Sequence, residues 1–326
     1  MLDITTIILT YNEEIHIKRC LERITPYVKD VFIIDCFSND NTLKIVENYK
    51  AILAKEGEVC KITVLQNTWV NYATQFNWAL ENAPIKTKWV LRLDADEYLS
   101  PALIHELHEK LPLLEDKYTG IVFPLRRVFM GKEINHGIAK GIKMLRLFQY
   151  GKASSEVRMM DEHIELLEGE SVEFENSFSD DNLNNISWWS KKHIGYALRE
   201  AIDLLDVEYD LTGSAMHTSI SKIEEQALSK RKKKQKYAKM PLFWRSIGYF
   251  MYRYIFKLGF LDGKEGFCWD FFQGLWYRML VDAKVYEIKK TCGLLRTKFK
   301  YMTVEERQRT RETLKRYINE RFNISL

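Results

Sequence analysis

Over the first hundred residues, two kinds of hydrophobic pattern alternate along the chain. Continuous β-branched runs at Asp3-Ile4-Thr5-Thr6-Ile7-Ile8-Leu9-Thr10, Val31 to Ile34, Lys61 to Leu65 and Lys88 to Leu93 read as strands buried on both faces. Between them the apolar residues recur at helical spacing. Ile17, Leu21 and Ile24 share one face of a helix over 13–24 that Pro26 closes, and further helices are expected over 43–54 and 71–82. Strand and helix in alternation predict a mostly parallel sheet covered on both sides, with ligands bound outside the carboxyl ends of the strands. The polar residues gather at those ends: Thr10, Asn12 and Glu13 after the first strand, Asp35 and Ser38 after the second, Asp94, Asp96 and Glu97 after the fourth. Asp and Ser in such places also cap the helix that follows, so position alone leaves two readings open.

Beyond residue 100 the pattern predicts a helix over 101–111, strands over 120–125 and 142–148, a flexible loop over 131–141, and a helix reaching about Tyr209 that carries the tandem Trp188 and Trp189. Ser219 to Met240 reads as a strongly basic helix. In the next helix Trp244, Ile247, Met251, Ile255 and Leu258 fall on one face and Arg245, Tyr249, Arg253 and Lys257 on another, as in helices that lie in a membrane interface. A core-packed helix is the competing reading. A second aromatic-rich helix is expected over 267–288. The expected division is a catalytic domain at 1–215, its donor half at 1–100 and acceptor half at 101–215, with a helical extension at 216–326.

Composition narrows the picture. The 326 residues are 46% hydrophobic and 29% charged, which suits one large or two modest folded domains. Net charge is +4, but Lys230 to Lys239 holds seven Lys or Arg and no acid, which points to an anionic membrane surface as partner. The lysines lack interleaved stacking residues, so nucleic acid is not expected. Five scattered cysteines suggest neither a zinc cluster nor a disulfide framework. With no leader-like start and no long apolar run, the expected place is the cytoplasm, peripheral at the inner face of a bacterial cytoplasmic membrane.

Neither G-x-G-x-x-G nor G-x-x-x-x-G-K-[ST] occurs, so phosphates would have to be held by a metal. Asp94 and Asp96 alternate along an extended backbone, and both carboxylates can meet one hard cation, Mg2+ or Mn2+, that also holds a phosphate. Farther on, Asp161 and Glu162 are adjacent acids whose repulsion can raise one pKa, which suits a general base. His163 beside them is a candidate metal or diphosphate contact, though a histidine next to a strand is more often structural.

Three segments together, Ile7-Ile8-Leu9-Thr10-Tyr11-Asn12-Glu13-Glu14, Ile33-Ile34-Asp35-Cys36-Phe37-Ser38-Asn39-Asp40-Asn41-Thr42 and Leu93-Asp94-Ala95-Asp96-Glu97, resemble the nucleotide-sugar half of family 2 glycosyltransferases with the GT-A fold. The segment Tyr72 to Leu80 is similar to the branch that includes lipopolysaccharide-core glucosyltransferases. The resemblance implies an α/β GT-A domain and an inverting hexosyltransferase that moves a sugar from a nucleotide-sugar donor, expected to be UDP-linked, to a lipid-linked glycan acceptor. It implies that Thr10, Asn12, Glu13 and Ser38 line the base and ribose pocket, with Asp35 accepting a hydrogen bond from the base. Asp94 would reach ribose and metal, Asp96 the metal, and Glu162, with Asp161 second, would serve as base. Relatives carry Arg where this chain has Phe76, so Arg92 or Gln75 would contact the diphosphate instead. Two other classes compete: a sugar-nucleotide nucleotidyltransferase, which should show a glycine-rich loop after the first strand, and a non-catalytic membrane-associated scaffold.

Overall fold

The computed structural model describes residues 1–57, 59–139, 141–156, 163–212, 237, 239–295 and 299–324. The chain divides into two compact units, Met1–Asn185 and Ile186–Leu326.

The first unit is built on one mixed sheet. Strands β1 (Leu2–Thr10), β2 (Val28–Asp35), β3 (Lys61–Gln66) and β4 (Trp89–Asp94) run parallel in the order β3-β2-β1-β4. They alternate with α1 (Ile17–Ile24), α2 (Thr42–Glu56) and α3 (Tyr72–Asn82) as the pattern predicts. Why β1 reads as a continuous apolar run is visible in its two faces. Ile4 and Ile8 enter a core with α1 residues such as Leu21, whereas Ile7 and Leu9 enter another with Phe76 of α3 and Phe148. Each fully buried side chain of this size contributes about 1.5–3 kcal/mol.

The sheet continues through β8 (Lys143–Gln149), antiparallel to β4, and β6 (Tyr118–Phe129), antiparallel to β8. Then come β12 (Phe178–Asp181), parallel to β6, and the short β5 (Glu97–Leu99), antiparallel to β12. Between β5 and β6 lies α4 (Pro101–Lys110), which Ser100 caps from its hydroxyl to the Leu103 N–H. The expected loop over 131–141 opens with a tight hairpin: Met130 and Gly131 both have positive φ, and β7 (Lys132–Glu133) turns back onto β6. At the rim, β11 (Glu170–Glu173) joins β6, and β9 (Ala153–Ser155) pairs with β10 (Ile164–Leu166) in a separate ribbon.

The second unit is helical. Helix α5 (Ile186–Tyr209) buries Ala197, Ala201 and Leu205 in a core with Val281, Val285 and Ile288 of α8 (Tyr277–Thr291) and Leu314 and Ile318 of α9 (Val304–Phe322). Placed by sequence with the catalytic domain, α5 thus falls within the second unit. The expected basic helix over 219–240 lies almost wholly outside the described residues.

The helix expected to follow it forms, but the reading of its cationic face needs correction. It runs as α6 (Trp244–Met251) with a π-helical turn over Tyr252–Phe256, and Leu258 takes a left-handed φ of 59°. Arg245 and Arg253 do not face outward. Arg245 donates to Asp282 (2.7 Å) and Arg253 to Asp270 (2.8 Å), all four side chains being buried. Burying a guanidinium is tolerable only beside such a carboxylate. The opposite, apolar face, with Trp244, Ile247, Met251, Ile255 and Leu258, is exposed.

Candidate active site

Strand order reverses direction around β1. The chain first adds β2 and β3 on one side and then β4 on the other, which makes the carboxyl ends of β1 and β4 a topological switch point. Register places Thr10 opposite Asp35 and Leu9 opposite Asp94. Thr10 donates its hydroxyl to Asp35 Oδ1 (3.0 Å), and Ser38 donates both its hydroxyl (2.5 Å) and its N–H (2.9 Å) to the same carboxylate. Gln66 supplies a fourth donor at 3.2 Å. Asp35 is fully buried, and these four bonds fill the usual acceptor capacity of a carboxylate.

Asn12, with φ 57°, occupies the left-handed region that asparagine tolerates. Its N–H reaches Ser38 Oγ and its side-chain oxygen accepts from the Asn39 N–H, so the loops after β1 and β2 are stitched together. Glu13 donates its N–H to Thr42 Oγ1 and accepts from His16 Nδ1 (2.6 Å). His16 is fully buried, and its Nε2 accepts from the Leu183 N–H, which leaves the proton of the neutral ring on Nδ1. The turn Glu13–His16 is engaged in this way, and the first helix therefore begins at Ile17 rather than at Glu13.

At the end of β4, Asp94 and Asp96 are half-buried while Ala95 and Glu97 are buried; Ala95 and Asp96 form the turn between β4 and β5, so the extended alternation expected across 94–96 stops at Asp94. Asp96 Oδ2 accepts from Asn182 Nδ2 (2.8 Å), and its carbonyl accepts from the Asp181 N–H (3.0 Å). Arg19 of α1 holds Asp181 in turn (2.6 Å). Asp94 stands between two buried arginines, Arg92 Nη2 at 4.0 Å and Arg146 Nη2 at 3.8 Å. Arg146 also pairs with the buried Glu97 at 2.5 Å, and Glu97 accepts from the Asp94 N–H.

Burial pushes Asp180 up to about 6; its ion pair with Arg127 opposes the rise and the charges of Asp96 and Asp94 add to it. Burial likewise raises Glu97 well above the usual carboxylate range, against the pull of Arg146 and with Asp94 and Asp180 pushing the same way. Carboxyl groups are thus crowded around this turn, with Arg19, Arg92, Arg127 and Arg146 set among them. No three His, Cys, Asp or Glu side chains converge as a complete metal cage among the described residues. The donor set nevertheless fits Mg2+ or Mn2+, since such ions commonly take one or two carboxylates and complete their shell with substrate phosphates and water.

Several other predicted residues fall elsewhere. Gln75 is fully buried, bonded to Asn67 and Cys36. Phe76 is core, and Arg92 lies over its ring at 5.2 Å. His163 accepts the Glu156 N–H at its carbonyl, closing the β9–β10 ribbon. Asp161 and Glu162 lie outside the described residues. Trp189 packs against His193 and Trp276, and Trp188 is exposed. Sequence reasoning missed His16, Arg19, Arg146, Asp180 and Asn182. In the sequence, Ser179-Asp180-Asp181-Asn182 stands out only as an acidic stretch ahead of the helix expected to reach about Tyr209.

Residues 5–156 match the model of glycosyl transferase family 2. Curated relatives include an uncharacterized glycosyltransferase of Rickettsia typhi, 24% identical over 82% of this chain and 81% of the relative. Another, from Rickettsia bellii, is 22% identical over 89% and 88%. Among solved structures, S. aureus TarS is 14% identical with a TM-score of 0.42, covering 99% of this chain and 93% of that one. A mannosyltransferase from Pyrobaculum calidifontis, in complex with GDP-Man and Mn2+, is 13% identical with a TM-score of 0.48, covering 87% of each. The glycosyl transferase family 2 match thus lies within the first unit and spans most of it.

Proposed function

We propose that the chain is an inverting, metal-dependent hexosyltransferase that moves a sugar from a nucleotide donor, UDP-linked in our reading, to a lipid-linked glycan of a bacterial surface polysaccharide. The observation that carries this reading is the pair Asp94 and Asp96, both half-buried at the turn that follows β4, beside the β1/β4 switch point. Thr10, Asn12, Glu13 and Ser38 form the wall that receives base and ribose. Asp35 sets that wall from behind, and its own contact with a base requires one of its four donors, of which Gln66 is the most distant, to give way. Arg92, or Gln75 as the alternative, would neutralise or bond the diphosphate.

Asp94 and Asp96 would hold Mg2+ or Mn2+, with His163 as a further candidate contact; the bound ion supplies Lewis-acid stabilisation of the departing diphosphate. Glu162, or Asp161 in its place, takes the proton from the acceptor hydroxyl as its oxygen bonds to the anomeric carbon. The bond from that carbon to the diphosphate oxygen breaks in the same displacement, which inverts the centre. We assign residues 1–215 to this chemistry and 216–326 to the acceptor and to peripheral attachment at the inner face of the cytoplasmic membrane.

Calorimetric titration with UDP, GDP and dTDP, each with and without Mn2+, tests the reading. UDP binding that needs Mn2+ is the expected result, and absence of binding to all three nucleotides would overturn it.

A further inference from the structure

The helical hairpin of the second unit is polar inside and apolar outside. Its first arm, Trp244–Phe256, and its second, which starts at Gly263, meet through Arg245–Asp282 and Arg253–Asp270, with Ser246 also bonded to Asp282 (2.8 Å). Close approach is needed to enclose these pairs, and glycines permit it. A Cβ on Gly259 would stand 1.8 Å from Asp270 Oδ2, and one on Gly274 would stand 3.1 Å from Arg253 Cδ. Arg245 and Arg253 are each only 2% exposed, whereas Trp244 is 71% and Phe256 75% exposed. At the turn Leu258, Phe260 and Leu261 are also exposed. The turn is continuous with the first arm, since the Tyr254 ring meets both Phe260 (6.2 Å) and Phe267 (5.6 Å).

The fully exposed charge around this patch is basic. From Lys239 to Glu265 the acids are Asp262, which is buried, and Glu265, which is half-buried, while Lys239, Lys257 and Lys264 are exposed. Protein interfaces deplete lysine, whereas aromatic and aliphatic side chains ringed by lysines match a boundary between acyl chains and anionic headgroups. Ionic pairs turned inward and apolar groups turned outward are the arrangement that lipid demands. Depth is limited. The thirteen residues of the first arm rise about 20 Å at roughly 1.5 Å each, short of the ~30 Å hydrocarbon core, and among the described residues no helix is long and apolar enough to cross a membrane.

We infer that the 244–267 hairpin is a monotopic insertion device, whose apolar face and tip, Phe256, Leu258, Phe260 and Leu261, enter the interface of an anionic bilayer. This deepens the reading of an acceptor presented at a membrane, and it makes attachment depend on apolar insertion more than on the basic run at 230–239.

The test uses the full-length protein without donor or metal, so that its failure leaves the transfer reading standing and the reverse also holds. Co-sedimentation is measured with vesicles of phosphatidylcholine and of equal parts phosphatidylcholine and phosphatidylglycerol, at low and high salt. Binding to the mixed vesicles that persists at high salt is expected. In the Phe256→Ser/Leu261→Ser variant it should weaken on the order of tenfold or more, with the circular dichroism spectrum unchanged. Binding that vanishes at high salt, equal binding by the variant, or concentration-dependent self-association with no vesicle binding would each overturn the inference.

Discussion

Asn182 donates to Asp96 Oδ2 at 2.8 Å across a sequence separation of 86, so the end of β12 fixes one carboxylate of the acidic turn. Asp96→Asn should therefore remove Mn2+-dependent nucleotide binding in calorimetry while leaving the melting temperature within a few degrees of the parent. Asn182→Ala leaves the carboxylate charge but not its orientation, and an apparent Mn2+ affinity lower by about tenfold is expected, as is usual when a group that orients a metal ligand is lost. Retained metal-dependent binding in Asp96→Asn would remove the assignment.

For the base, Glu162→Gln should reduce turnover by about 10²–10⁴-fold with donor binding unchanged, the range typical of positioned proton transfer. Asp161→Asn should have the smaller effect. A reversed ranking under saturating donor would transfer the role to Asp161.

Glu97 and Arg146 are both nearly inaccessible and 2.5 Å apart. Arg146→Met strands a buried carboxylate and should cost about 3–5 kcal/mol at neutral pH. The sign of its pH dependence follows from the raised pKa of Glu97: the folded state holds the proton more tightly than the unfolded chain, so ionised Glu97 opposes folding as pH rises above its ordinary value. The penalty in Arg146→Met should shrink as pH is lowered. Urea denaturation at several pH values measures this, and a pH-independent penalty would argue for lost packing alone.

Glu106 behaves in the opposite way. Burial opposes its ionisation, but bonds from Lys110 and from the backbone of Glu175 and Asn176 hold its pKa below the ordinary value. Its stabilisation is present above the unfolded pKa and is lost as pH falls through the folded one. Glu106→Gln should cost about 1.5–3 kcal/mol near neutrality, the scale of charged hydrogen bonds, and the gap to the parent should narrow in acid.

The four parallel strands and the position of the acidic turn were legible because β-branched runs and helical spacing are local signals. β12 was not. Only four residues long, it inserts between β6 and β5, which stand far from it in sequence, and half of it is acid. His16 carried a weak local signal, its spacing of three from Glu13, but its second partner Leu183 is 167 residues away. In the 244–256 helix, periodicity separated an apolar face from a cationic one without saying which is inside. That depends on Asp270 and Asp282, carried by the opposing arm.

The central place of β1 also has a consequence during synthesis. β1 can pair with β2 once Asp35 has emerged, but its other edge waits for Trp89 to Asp94. Until then an Ile-rich edge stands open to pairing with any neighbouring chain. The arrival of β4 closes that edge and brings Asp94 alongside Leu9 in the same event, so the protection of β1 and the assembly of the acidic turn are one step, and the open edge passes to β4 until β8 emerges.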